Sequence, residues 1–376
     1  MEPLTHIFTG ACMGRAGLNR KTAYATLAAT LAAEAADLDI FWGLRGPVEG
    51  LKHHRGITHT FAGVPVVAAV TVGAIWLLHC WNERRRLKKL GKLNLAPGEP
   101  IPPRLEPRLV HWGWLSLTCF VAALSHILLD WTNSYGVRPF FPFNPRWYAA
   151  SFMFIVEPIL WGLFLIAFIL PWLFGLADRE IGARRAAFSG RGWAIFALAG
   201  MAALWVWRWA EHSQARAMLD NTRVASAPVT RMAIEPYPVN PFLWHAILET
   251  RDFYQTAEVN TSAGSIDSDP QTDVLFKPED TPAVEAAKRT FLGRVYLDWG
   301  TWAVVRDLGQ QPIEGISPPQ LPPNRTWTTV EFSDLRFAYA FTRSGRARPP
   351  SALSGWVYII DNRDDGGEAM GGREQK

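Results

Sequence analysis

The hydrophobic and polar positions divide this chain into two unlike halves. Over residues 1–210 the apolar residues come in long, nearly unbroken runs, whereas beyond residue 210 they come in short runs broken by polar positions. Four runs, at about 57–81, 111–131, 151–175 and 193–210, match the roughly 20 apolar residues that cross a bilayer as a helix. A fifth, at about 22–42, is rich in Ala and Leu but carries Glu34, Asp37 and Asp39. It is expected as a helix packed inside the bundle and shielded from lipid. The start of the chain, from Pro3 to Ala16, is too short to span and is expected as a short helix or re-entrant piece.

The second half reads differently. Runs at 253–259, 326–332, 335–341 and 356–360 are rich in β-branched and aromatic residues and bounded by Gly, Pro, Asn and Asp, which predicts strands. Thr281-Pro282 predicts a helix over 283–295, with Thr as its N-cap and Pro at the first helical position. Residues 309–325 are Pro-rich and predict a loop. The polar, Gly-rich tail over 362–376 predicts disorder. The fold expected is an all-α polytopic membrane bundle of about five helices over 1–210, followed by a smaller β-rich α+β domain over 211–361.

Composition alone obscures this division. Apolar residues make up 49% of the chain and charged residues 19%, an average of two different materials. The pI near 9.0 does not imply a nucleic-acid partner, because the basic residues stand beside apolar runs. Arg84, Arg85, Arg86, Lys88, Lys89 and Lys92 follow one run, and Arg179, Arg184, Arg185 and Arg191 follow another. Such clusters mark cytoplasmic loops, and Arg15, Arg20 and Lys21 agree with a cytoplasmic start. The remaining helix ends, and the C-terminal domain with them, are then expected outside the cytoplasm, in a multi-pass inner-membrane protein. The N-terminus reads as lacking a cleavable signal. All three cysteines, Cys12, Cys80 and Cys119, lie in or beside apolar segments, so no disulfide framework or cysteine-based zinc site is expected.

The candidate chemistry sits where this topology places the outer face. Four groups stand out: Thr5-His6; Asp37-Leu38-Asp39; His53-His54-Arg55-Gly56-Ile57-Thr58-His59; and His126 with Asp130, followed by Asn133 and Gly136. His126 and Asp130 are four apart, so on a helix they share one face. His54 and His59 flank Gly56, where a turn would bring both rings toward one point. Imidazole and carboxylate together suit zinc and other first-row divalent ions. Ionisable groups inside apolar helices are costly, by a few kcal/mol on insertion scales, and mark cavities or partners. Four segments converging at one depth are harder to dismiss than one. The bland alternatives for each group are an interfacial histidine, a helix end, a solvated loop and a structural hydrogen bond. His79 and His111 fall on the cytoplasmic side, and His212 and His245 show no ligand spacing.

These residues resemble the YdjM-like family of bacterial and archaeal proteins, described as predicted inner-membrane metal-dependent hydrolases. The resemblance rests on His6, Asp37-Leu38-Asp39, the 54–59 block, His126-to-Asp130 and Tyr135-Gly136, and covers roughly residues 1–175. Ala36 stands where many members carry Pro. That family is distantly similar in turn to zinc-dependent phospholipase C. The resemblance implies metal ligands at His6, Asp39, His54, His59, His126 and Asp130. The metal implied is zinc, with manganese or magnesium as alternatives. It also implies hydrolysis of a phosphoester or lipid-like ester.

In that scheme Asp37 takes up a proton, Arg55 counters charge on the phosphate oxygens, and Lys52 and Asn133 face substrate. The expected partners are membrane lipids and an amphiphilic or small-molecule substrate. Two other classes are open. A transporter or channel would thread its polar residues through the membrane, and metal uptake into vesicles would reveal it. A non-catalytic sensor or anchor would hold its metal for structure alone.

Overall fold

The computed structural model describes residues 1–93, 100–180, 190–269, 271–313, 315–339, 353–361 and 368–370. The chain forms two compact units. The first comprises Met1–Leu38, Ile57–Ala149 and Ile155–Val206; the second comprises Asp39–Gly56, Ala150–Phe154 and Trp207–Lys376.

The first unit is helical. Helix α1 (Pro3–Arg15) starts with Pro at its first turn and the Glu2 carboxylate accepting the Thr5 amide. Helix α2 (Ala25–Glu34) buries Ala25, Ala28, Ala29, Ala32 and Ala33, a stripe at helical spacing made only of small side chains. That stripe lets neighbouring helices come close. Gly10 and Gly14 of α1 face it so tightly that an added Cβ would stand 2.4 Å from the Ala29 carbonyl oxygen or the Thr26 Cα. The Gly-x-x-x-Gly spacing is the membrane device for such contacts, where association rests on packing and lipid supplies no hydrophobic drive.

Four helices among the described residues are long and apolar enough to cross a membrane: α4 (Gly63–Leu90), α5 (Trp112–Trp131), α6 (Pro158–Glu180, apolar through Leu176) and α7 (Arg191–Asn221). The expected fifth, at 22–42, takes another form. Its α-helix is only 10 residues long. At about 1.5 Å per residue that is roughly half the thickness of the hydrocarbon core. It gives way at Ala35 to a run of 3-10 turns through Arg45. Two of the spans also begin later than expected. Ile57–His59 forms a separate 3-10 turn before α4, and α6 starts at Pro158. Within this unit α2 packs against α1, α4 and α5, and α6 packs against α1 through Phe8, Phe164 and Phe168.

The second unit holds most of the β-structure. Strands β1 (Arg231–Pro236), β2 (Leu243–Glu249), β3 (Phe253–Asn260) and β4 (Ser265–Asp267) form an antiparallel sheet in chain order, with β5 (Val274–Phe276) also pairing with β3. Between the two sheets in sequence lie α8 (Pro282–Arg289) and α9 (Phe291–Trp299), where a single helix was expected. Thr290 divides them: its extended backbone ends α8 and its hydroxyl caps α9 by accepting the Gly293 amide. A second antiparallel sheet runs β6 (Ala303–Asp307), β7 (Trp327–Asp334), β8 (Gly355–Ile360) and β9 (Glu368–Met370). Trp244, Tyr296, Trp299, Phe332 and Tyr358 are fully buried.

The strand expected over 335–341 begins as a 3-10 turn at Leu335–Phe337, and its last two residues lie outside the described ones. Most of the tail expected to be disordered also lies outside them, apart from β9. The second unit also takes in Asp39–Gly56, whose helix α3 (Pro47–His53) packs on α9.

Candidate metal centre

The centre is built by three segments of the first unit. The 3-10 run after α2 supplies Asp37, the 3-10 turn before α4 supplies His59, and α5 supplies His126 and Asp130 from one face, four residues apart. One atom from each meets the others within 4.8 Å. The His59 and His126 Nε2 atoms lie 2.9 Å apart. Asp37 Oδ1 is 3.1 Å from His59 Nε2 and 3.5 Å from His126 Nε2. Asp130 Oδ2 is 3.5 Å and 3.4 Å from the same two nitrogens. His59, His126 and Asp130 are wholly shielded from solvent, and the Asp37 side chain is 13% exposed.

The donor set fits a divalent cation. Ligands about 2.0–2.1 Å from a tetrahedral zinc ion stand roughly 3.3 Å from one another, close to the spacing found here. Orientation points the same way. His126 Nδ1 sits 2.6 Å from the Ala33 carbonyl oxygen, which makes Nδ1 the N–H donor and leaves Nε2 with its lone pair aimed at the cluster. His59 Nδ1 lies 3.1 Å from the Thr58 hydroxyl, and its Nε2 faces inward. Lone pairs of two imidazoles and two carboxylates thus converge in a buried space, an arrangement that calls for a shared cation.

His6 adds to this centre. It comes from α1, is fully buried, and stacks on His126 with ring centroids 3.8 Å apart. Neither ring nitrogen makes a hydrogen bond, and Nε2 lies 3.4 Å from Asp130 Oδ1. Burial is the largest cause that lowers its pKa, to about 3, so the ring is neutral and competent as a ligand. The Met1 amino nitrogen also contacts Asp130.

Asp37, expected as the proton acceptor, stands among the possible ligands. Asp39 and His54, expected as ligands, also belong to a group of side chains that could hold an ion, the one that Asp37 shares with them. His54 Nδ1 is 3.0 Å from Asp39 Oδ1, and Asp39 Oδ2 accepts the Arg55 amide at 2.8 Å. That clamp holds Arg55 in the left-handed region at φ 54°, and Gly56 follows because a Cβ there would stand 2.7 Å from the His53 carbonyl oxygen. Arg55 is buried, whereas the Lys52 side chain is 46% exposed, with its ammonium 5.2 Å from the Phe291 ring centre. Asn133 is buried, and its side-chain oxygen caps the turn after α5 by accepting the Tyr135 amide. Sequence reasoning does not single out Ala33, whose contribution is a backbone carbonyl. It also passes over Glu2, whose carboxylate receives the Trp161 indole N–H at 2.7 Å and ties α1 to α6.

The profile of the YdjM inner membrane protein family matches residues 1–215, more than half of the chain. The chain belongs to this family. The matched span includes all five residues of the buried centre and the four candidate membrane helices almost to their end. Among curated proteins, the chain is 24% identical over 183 residues to the uncharacterized protein YfhP of Bacillus subtilis (strain 168), an overlap of 46% of this chain and 47% of that protein. The chain thus spans about half the length of the curated relative it matches. No solved structure matches.

Proposed function

We propose that this protein is a membrane-bound metal-dependent hydrolase acting on a phosphoester or a lipid-like ester, with its C-terminal domain outside the cytoplasm. The observation that carries this reading is the convergence of two imidazole nitrogens and two carboxylate oxygens, buried and turned toward one another. Asp37, His59, His126 and Asp130 would hold the ion, and His6 would join them. A divalent ion there supplies Lewis acidity and brings the pKa of a water toward 7.

The chain's own residues supply the rest. The Ala33 carbonyl and the Thr58 hydroxyl keep the two histidines turned inward. Three residues separate Arg55 from His59 in the chain, and we assign Arg55 to countering charge on the phosphate oxygens. The outer-face assignment rests on the basic loops, which suit the cytoplasm.

The test is elemental analysis of the full chain in lipid nanodiscs, together with turnover of a panel of phosphodiesters and carboxylic esters. Stoichiometric zinc or manganese and hydrolysis of at least one ester are expected, and both should be lost in His126→Ala while the helical circular-dichroism signal stays. A wild-type protein that binds no divalent metal would remove the basis of this reading.

A further inference from the structure

An exposed apolar stretch outside the spanning helices, among the described residues, is residues 40–44, Ile-Phe-Trp-Gly-Leu, in the 3-10 run that carries Asp37 and Asp39. Ile40 is 65% exposed, Phe41 62% and Leu44 86%. A water-soluble surface seldom carries three large apolar residues this close together and this open. The stretch is nonetheless braced. Trp42 stacks on His53 with ring centroids 4.1 Å apart, and the Arg45 guanidinium lies 4.7 Å from the Trp42 ring centre. A Cβ on Gly50 of α3 would stand 3.1 Å from the Gly43 Cα, so the two arms of the hairpin approach backbone to backbone. Asp39 closes its base by holding His54 and the Arg55 amide. The result is a stiff hairpin with an apolar tip.

We infer that this tip inserts into the headgroup layer of the bilayer and is a monotopic anchor of the C-terminal unit. Three features favour lipid over water or hydrocarbon. First, the tip continues directly from Asp37 and so stays within a few residues of the membrane bundle along the chain. Second, 3-10 turns exposed to lipid are not tolerated in the hydrocarbon core, where unpaired backbone groups find no partner, whereas the interface supplies water and headgroups. Third, aliphatic and Phe side chains beside a Trp–Arg pair form the usual interfacial mixture, with the indole at headgroup level and the guanidinium free to meet phosphates. Asp39, His54 and Arg55, which the same hairpin carries, are thereby held at the depth of lipid headgroups.

The experiment places an environment-sensitive fluorophore on Phe41→Cys in a Cys80→Ser background, since Cys12 and Cys119 are fully buried. Phe276→Cys, at a 71% exposed position on β5, is the control. The full chain is reconstituted in vesicles of phosphatidylcholine and phosphatidylglycerol that carry a nitroxide either near the headgroup or near the chain end. The label at 41 should emit to the blue of the label at 276, and should lose more intensity to the shallow nitroxide than to the deep one. Water-like emission quenched by aqueous iodide overturns the inference. So does blue-shifted emission that neither nitroxide nor iodide quenches, which would mean that protein covers the tip. Deeper quenching by the chain-end nitroxide also overturns it. The readout is a depth and does not involve hydrolysis, so the result is independent of whether the hydrolase reading holds.

Discussion

Two buried groups of charge, one in each unit, show how differently a protein can use the same residue types. In the C-terminal unit Asp334 and Arg336 are both buried and fully matched. The guanidinium donates to both carboxylate oxygens, at 3.0 Å from Nε and 2.9 Å from Nη2, and the carboxylate also accepts the Trp302 and Arg336 amides. The charges cancel, and every contact pairs a donor with an acceptor. The pair is a structural clasp between β7 and the turn after it. In the helical unit four possible ligand atoms face one another. Asp37, His59, His126 and Asp130 turn ring nitrogens and carboxylate oxygens toward one another within 4.8 Å, and the Ala33 carbonyl at His126 Nδ1 leaves Nε2 facing the cluster. A buried group that satisfies itself is architecture. One whose lone pairs could share a cation is a candidate site.

The comparison can be broken in several ways, beginning with the largest effect. Asp130→Ala should abolish stoichiometric metal binding, measured on the full chain in nanodiscs, whereas Asp334→Ala should leave metal content unchanged. If Asp334→Ala also removed the metal, the two groups would not be independent. Next, Asp334→Ala strands a buried guanidinium and should destabilise the protein by about 3–5 kcal/mol in denaturant titrations that follow tryptophan emission. The double variant Asp334→Leu with Arg336→Met should recover most of that loss, because it removes both charges together.

The packing that supports the site comes third. Gly10→Val should lower the thermal midpoint and the metal occupancy together, since its side chain would meet the Ala29 carbonyl of α2; overpacking of this kind costs about 1–3 kcal/mol or more. Gly73→Ala on α4, where an added Cβ meets nothing within 4 Å, should be silent in both assays.

The smallest effect concerns Asp307, an exposed-side carboxylate for contrast with the two buried groups. Burial is the largest single influence and raises its pKa, but hydrogen bonds from Thr328, the Gly309 amide and Thr281 together outweigh it and lower the pKa. A folded pKa below the unfolded one stabilises the fold above about pH 4 and loses that stabilisation as the pH falls through the folded value. Asp307→Asn should therefore flatten the acid limb of the stability profile and leave stability changes near neutral pH without this pH dependence. An acid limb as steep as in the parent would contradict the assignment.

Much of this was legible along the chain. The four long apolar runs became α4 to α7 because twenty apolar residues in a row have few other stable arrangements. The His126-to-Asp130 spacing placed two ligands on one helical face because the helix repeat does so wherever the helix continues. The division at 22–42 was not legible. Its Ala-rich composition favours a long helix, yet the chain leaves the α-helix at Ala35, and Asp37 on the 3-10 run stands 3.1 Å from His59 Nε2. The roles of Asp37 and Asp39 were likewise beyond local reading. They are two residues apart, and Asp37 meets His59 Nε2 at 3.1 Å while Asp39 holds His54 and the Arg55 amide. Thr290 is a milder instance: a Thr inside a helical pattern became both the end of one helix and the cap of the next.

The sequence by itself determined the division into an apolar helical half and a β-rich half, the four spanning segments, the family and the residue types available for a metal. Hydrophobic periodicity and length are enough for these, since they depend on neighbours along the chain. The tertiary structure decided which of ten candidate residues meet. His6, Asp37, His59, His126 and Asp130 come together because the small-residue face of α2 lets α1 and α5 approach closely enough for side chains separated by more than a hundred residues to share one buried space. Lone-pair direction was decided there too, by a backbone carbonyl at Ala33 that no residue type announces.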